Sequence, residues 1–430
     1  MKKITEEFLH FLWKNQHLAG ISLQDEDGPA IRVIDPGEHN TNAGPDFFNA
    51  RVKIDGTLWA GNVEIHIHAS DWIRHGHQND AAYESVILHV VYFNDCTIRT
   101  SGNRTLPTVT LRFPGILWDS YETLMKGKAS ISCSGQLHQL MPLHVAQWTS
   151  RLMVEKLKAR SDVMHTKWQK CHGHWDALLH EEVCRCFGLP VNTLPFEMLG
   201  SAIPYNELIR CRDSLFTLEA MLLGQSGFLD SALPEDTYFE SLRHEYLRLR
   251  PRLGGKGIES HLWKLSRMRP SSFPHVRIAQ LAALIQGKYP LMEHLVTMPG
   301  LKDMRKLFRV RASDYWNTHI MPGKISPDRL RYIGNECIDR LIINGIIPFL
   351  FFYAGQGGSG KFRDYGTGIL EEMPPESNAI IKKWIKFGIR PATAFESQGL
   401  LYLYRQYCKH GRCLDCQFGN NFIIDGKKPP

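Results

Sequence analysis

Between residues 46 and 80 the chain concentrates side chains that can hold a metal ion: Asp46, Glu64, His66, His68, His75, His77 and Asp80. Carboxylates suit hard divalent cations, and imidazoles suit zinc and its neighbours. Crowded together, such groups repel or desolvate one another unless a cation or a proton relay compensates. The chemistry this points to is metal-assisted hydrolysis. Asp46 and Glu64 are expected to bind a divalent cation, Mg²⁺ or Mn²⁺, while His66 positions or deprotonates water. A rival arrangement uses imidazoles, with His66, His68, His75 and His77 as ligands of a Zn²⁺ hydrolase. The bland alternative is a polar strand face exposed to solvent.

The elements that position these groups read as follows. GNVEIHIHA is a strand, so Glu64, His66 and His68 share one face and Val63, Ile65 and Ile67 the other. FFNARVKI is a strand opening just after Asp46. Asp55-Gly56 marks the hairpin turn between the two. ILHVVYF is apolar and β-branched, as a buried strand should be. His75, His77 and Asp80 fall in a polar, helix-like segment between the last two strands. Asp71 can cap that segment or orient a site histidine. Residues 5 to 15 form the first helix, with Phe8, Leu9, Leu12 and Trp13 on one face and Glu6-Glu7 at its start. PTVTLRFP, 107 to 114, is a strand that its prolines place at a sheet edge.

The order helix, strand (AIRVID), strand, strand with Glu64-Ile65-His66, short helix, strand resembles the restriction-endonuclease-like, or PD-(D/E)XK, nuclease core. Pro45-Asp46 and Glu64-Ile65-His66 fit its motif positions. The resemblance implies cation binding by Asp46 and Glu64 and phosphodiester cleavage. His66 stands where the family has Lys, and an imidazole is not a permanent cation near neutral pH. A catalytically inactive nuclease fold that binds nucleic acid or acts as a scaffold is the alternative. An early-helix Glu assists the metal in some such folds, which marks Glu6 and Glu7. Over nearly the whole chain, GPDFFNARV, WAGNVEIHIHASDWIRHGHQNDAAY, RMRPSSFPHVRIAQLA and YCKHGRCLDCQFG resemble a bacterial family known only as a domain of unknown function.

With 430 residues, 43% hydrophobic and 22% charged, the chain belongs to the globular class, large enough for two or three domains. After about residue 115 strand patterns give way to helical periodicity. The expected class is α+β: a nuclease-like mixed-sheet domain over 1–115, then a mostly helical domain over 116–430. No signal peptide or membrane span is expected. The longest apolar run, 341 to 355, contains Gly345 and Pro348, is shorter than the roughly 18 residues a span needs, and reads as a buried helix. Ten cysteines without an export signal point to a reducing, cytoplasmic setting.

Three further stretches carry chemistry. Residues 241 to 277 concentrate Arg243, Arg248, Arg250, Arg252, Lys256, Lys264, Arg267, Arg269 and Arg277 against only Glu245 and Glu259, with Tyr246, His261 and Trp263 among them. Cations for phosphates and rings for stacking make this a nucleic-acid surface, with Arg248, Arg250, Lys264, Arg267 and Arg269 in contact. Arginines satisfied by acids elsewhere are the alternative. Cys408, Cys413 and Cys416 suit Zn²⁺ or an iron–sulfur cluster, with His410, Cys186, Cys211 or Cys337 as fourth ligand. GQGGSGKF, 355 to 362, approaches a phosphate loop, but Phe362 replaces its hydroxyl residue. No strand precedes it, RDYGTG should break the following helix, and a plain loop is expected.

Overall fold

A computed structural model describes residues 4–15, 21–23, 30–127, 129–230, 236–253, 255, 257–266, 268 and 272–424. The chain is mixed α/β, an N-terminal mixed sheet followed by a mostly helical region. It divides into two compact units: Met1–His144 with Lys386–Ile389 and Leu403–Pro430, and Val145–Ile385 with Arg390–Tyr402.

The first unit begins with α1 (Glu6–Lys14). The Thr5 hydroxyl accepts from the Phe8 amide, Glu6 and Glu7 sit at the positive end of the dipole, and Lys14 sits at the negative end. Phe8, Leu9, Phe11, Leu12 and Trp13 are buried. The sheet holds β1 (Ser22–Leu23), β2 (Ile31–Asp35), β3 (Glu38–His39), β4 (Phe47–Ile54), β5 (Thr57–His68), β6 (Val86–Phe93) and β7 (Thr108–Arg112). Its order is β1-β7-β6-β5-β4-β2, with β3 also on β4. β2, β4 and β5 run antiparallel to their neighbours in that series, whereas β5–β6 and β6–β7 are parallel.

Asp55 and Gly56 both take positive φ, 48° and 85°, which suits the twist of a two-residue hairpin. The β5-to-β6 crossover contains α2 (Asp71–Arg74) and two single 3₁₀ turns, His77–Asn79 and Ala81–Tyr83. The first six residues of β6 are buried, as befits a strand covered on both faces. The flanking prolines predict an edge position for β7. Instead β6 lies on one side, and the short β1 pairs with its last two residues, Leu111 and Arg112, on the other.

The first unit extends past residue 115, the boundary expected from periodicity. Helix α3 (Gly115–Met125) buries Leu117, Trp118, Tyr121 and Leu124. Its Trp118 and Tyr121 rings lie 5.1 and 4.8 Å from that of Phe8 in α1. The C-terminal helix Gln417–Ile424 packs on α3. Periodicity reports the kind of element, and these helices bury their apolar faces on the sheet unit.

The second unit is helical apart from the strand pair His319–Met321 and Lys324–Ile325, among the described residues. The apolar stretch lies within one continuous helical run, Asn335–Gly355, mostly buried inside this unit. Residues Ile342–Ile346 widen into a π-turn ahead of Pro348. Proline has no N–H to give the carbonyl of Asn344 four residues back. Arg185 supplies the missing donor. The run 355 to 362 joins two helices. Lys361–Glu372 is helical straight through the segment expected to break it, burying Gly366 and Ile369. A helix, not a strand, precedes the glycines.

Candidate metal centre

Strand β5 carries Glu64 and His66 into the unit's interior, both nearly inaccessible to solvent. The turn after α2 swings His75 and His77 back over them. The Nε2 of His66 lies 3.2 Å from Nδ1 of His75. The Oε1 of Glu64 lies 3.5 Å from Nε2 of His66 and 3.4 Å from Nε2 of His77. Ligand atoms of His66, His75 and His77 all fall within 4.8 Å of one another. Metal–nitrogen bonds of about 2.0–2.1 Å place adjacent tetrahedral ligand atoms about 3.3 Å apart. The short separations here have that size. Two of them are also too long for hydrogen bonds of good strength. Nε2 of His77 is buried without a hydrogen-bonding partner of good geometry.

The surroundings fix each ring. Nδ1 of His66 meets Nε2 of His89 at 2.9 Å, deep in β6. Burial depresses His89 to about 3, with the neighbouring charge of His77 adding to the effect. A His66 tautomer that donates from Nδ1 to a neutral His89 would leave a lone pair on Nε2, facing His75 and Glu64. Burial first, then His89, His77, His75 and His10, push His66 itself down to about 2. His77 is clasped by rings: Tyr83 stacks on it at 3.8 Å, and Trp72 meets it edge-on at 5.4 Å. Burial raises the Glu64 carboxyl against the lowering contact with His77. His75 is exposed and gives the cluster its opening to solvent.

Asp46 adjoins this group. Its amide donates to Glu64 Oε2 at 3.1 Å, and its Oδ2 accepts from the Ile65 amide at 2.9 Å. His10 of α1 brings Nε2 to 3.2 Å from the same oxygen. One carboxylate oxygen of Asp46 is therefore committed to holding β5 in register. A bulge in β4 permits this: Asn49 has φ 57°, and pairing slips between Phe47 and Ala50. Burial raises the carboxyl of Glu6, which lies within electrostatic reach of His75, Asp46 and His10. Glu7 is exposed. His68 turns away from the triad: its ring stacks on Phe93 and lies 3.7 Å from Asp95. Asp71 accepts from the His68 amide and pairs with Arg74.

Sequence reasoning missed His10, His89 and Tyr83. His89 carried a signal, the lone polar side chain in an otherwise apolar strand run. His10 carried none, because its partner is 36 residues away along the chain.

The other expected residues lie elsewhere. Arg248 is held by Glu245 at 2.6 Å and Arg252 by Glu207 at 2.7 Å. Arg250 and Lys264 are exposed, and Arg267 and Arg269 fall outside the described residues. Tyr246 and Trp263 are core residues. The Tyr246 and Trp263 rings are therefore spent on packing, while His261 is exposed. Cys408, Cys413 and Cys416 line one cavity together with Cys133. His410 is exposed, and Cys186, Cys211 and Cys337 belong to the second unit.

A family profile described as "Protein of unknown function (DUF2851)" matches residues 6–379. The chain belongs to that family. Comparison with curated proteins returned no match, and comparison with solved structures returned none.

Proposed function

We propose that this DUF2851 chain is a metal-dependent hydrolase whose ion is held by His66, His75 and His77, with Glu64 beside it. The convergence of three imidazole nitrogens within 4.8 Å carries the reading. Imidazole ligands favour zinc over magnesium, and the Glu64 carboxylate beside them also suits manganese. A bound ion of this kind makes water a nucleophile near neutral pH and polarises the bond under attack. Glu64, raised by burial, is suited to take the proton of the attacking water. His89 holds the tautomer of His66, and Tyr83 and Trp72 hold the ring of His77. Asp46 anchors β5 through the Ile65 amide.

Phosphodiesters are the substrate class we assign. The order α1, β2, β4, β5, α2, β6 retains the element series of the nuclease likeness, and Asp46 and Glu64 touch within it. The ion moves from the carboxylate pair to the imidazoles, which accounts for a histidine at the lysine position. An inactive scaffold has less in its favour, since nothing in a scaffold needs imidazoles converging beside a buried carboxylate.

Metal titration followed by calorimetry, then hydrolysis of a phosphodiester, a carboxylic ester and a peptide under zinc, manganese and magnesium, tests the reading. The expected result is zinc or manganese binding lost in His77→Ala, and phosphodiester turnover with one of those ions. Unchanged metal binding in His75→Ala and His77→Ala would overturn it.

A further inference from the structure

The first unit contains a second group of metal-ligating side chains. Cys133, in the turns that follow α3, lines one cavity of about 20 Å³ with three cysteines from the C-terminal end of the chain. Cys408 opens the 3₁₀ turn Cys408–His410, Gly411 reverses the chain with φ 66°, and Cys413 and Cys416 precede the helix Gln417–Ile424. None of the four is in a disulfide. Cys133 and Cys416 are buried, and Cys408 and Cys413 half-buried.

Backbone hydrogen bonds shape this nest. The Arg412 amide donates to Tyr407, that of Cys413 to Gly411, and that of Cys416 to Cys413. A methyl group on Gly419 would lie 2.1 Å from the Cys413 carbonyl oxygen, so only glycine lets the helix lie against the loop. On the opposite wall, a methyl group on Gly127 would lie 2.8 Å from the Ser132 carbonyl oxygen. Both walls are constrained where the cysteines are presented.

The spacing separates the ligands that four thiolates can take. One zinc ion with Zn–S bonds of about 2.3 Å draws its sulfurs to edges of about 3.8 Å. Among the described residues, no three cysteine sulfurs lie within 4.8 Å of one another. A cubane iron–sulfur cluster binds one thiolate to each iron corner and so takes sulfurs held further apart than one zinc ion does. Four thiolates in this setting are costly without a cation. Arg412, which lines the same cavity, pairs with Asp415 at 3.0 Å and lies over the Tyr407 ring.

We propose that Cys133, Cys408, Cys413 and Cys416 ligate a cubane iron–sulfur cluster that ties the C-terminal segment to the turn after α3. Cys133 replaces His410 and the distant cysteines as the fourth ligand. The cluster's role here is structural, and no electron transfer is assigned to it.

The full chain, purified without oxygen and reconstituted with ferrous iron and sulfide, tests this by elemental content and visible absorption. The expected result is iron and acid-labile sulfide in equal amounts, with the broad charge-transfer absorption of such clusters. Cys133→Ser should lose most of the iron, and Cys96→Ser, outside the group, should retain it. Stoichiometric zinc without iron would overturn the proposal. So would iron-free protein in which all four thiols react with a thiol reagent after reconstitution, and so would full iron content in Cys133→Ser. The metal content of the wild-type chain is read first, and it decides between cluster and no cluster whether or not the serine variant folds.

Discussion

At the scale of residues, the site is held by a chain of contacts that sequence spacing only half discloses. Alternation on β5 put Glu64, His66 and His68 on one face, and the structure brings the first two to the triad while His68 pairs with Asp95. The strand ends at His68, where a side chain leans out rather than in. His77→Ala is therefore expected to lower zinc affinity by at least tenfold, and His68→Ala to leave it within about twofold. The comparison is read by competition with a chelating dye. Second-sphere losses are of order 10–100-fold in metal affinity. His89→Phe, which keeps the ring volume but removes the acceptor for His66, should fall in that range while the melting temperature changes little. If His89→Phe binds metal like the parent, the tautomer argument is wrong. His89 showed in the sequence only as the lone polar side chain of an apolar run, and His10 was not legible at all, because no local pattern encodes a contact between α1 and the start of β4.

Among elements, the strand and helix order could be read almost intact from periodicity and turn chemistry. The Asp55-Gly56 turn, the apolar run of β6 and the amphipathic α1 each carried a local signal. The bulge at Asn49 did not, nor did the short β1 that covers the end of β7, because both depend on partners distant in sequence. The helix through Lys361–Glu372 shows tertiary burial overriding two glycines that argued against it locally. Gly61 is the element-scale point most open to test. A methyl group there would lie 2.4 Å from Ile87 Cγ2 and 2.8 Å from the Ser85 carbonyl oxygen, where β5 and β6 approach. Gly61→Ala should cost about 1–3 kcal/mol, the usual range for overpacking a filled interior. Urea unfolding followed by circular dichroism measures it, and an unchanged midpoint would mean that the strands part without cost.

Across the whole molecule, stability should be sensitive to acid, and the second unit supplies the groups. Burial alone would raise Glu182, but Arg185, Arg160 and Lys167 outweigh it and hold the carboxyl down at about 2. A depressed carboxylate contributes stability that is present above its unfolded pKa. That contribution is lost as pH falls through the ordinary carboxylate range toward 2. Burial also depresses His180 to about 4 and His275 to about 3. The unfolded chain takes up those protons first, so acid weakens the fold from about the ordinary histidine pKa downward. Both effects share a sign, so these groups lower the unfolding free energy as pH falls below about 6.5, against the opposite contribution of carboxyls raised by burial, such as Glu219. Glu182→Ala should cost about 3–5 kcal/mol at neutral pH, since it strands the buried Arg185 charge. Its stability should also fall less steeply than the parent's between about pH 4.5 and 2. A variant with the parent's stability and pH slope would show that the three cations do not depend on Glu182.

The central claim is that His66, His75 and His77 hold one metal ion, and anomalous scattering from crystals grown with zinc tests it most directly. Data collected on both sides of the zinc edge should give one strong difference peak about 2.0–2.1 Å from His66 Nε2 and within bonding distance of His75 and His77. A well-ordered triad with no peak between its nitrogens, or a peak on Asp46 that leaves the three imidazoles unbound, would contradict the account.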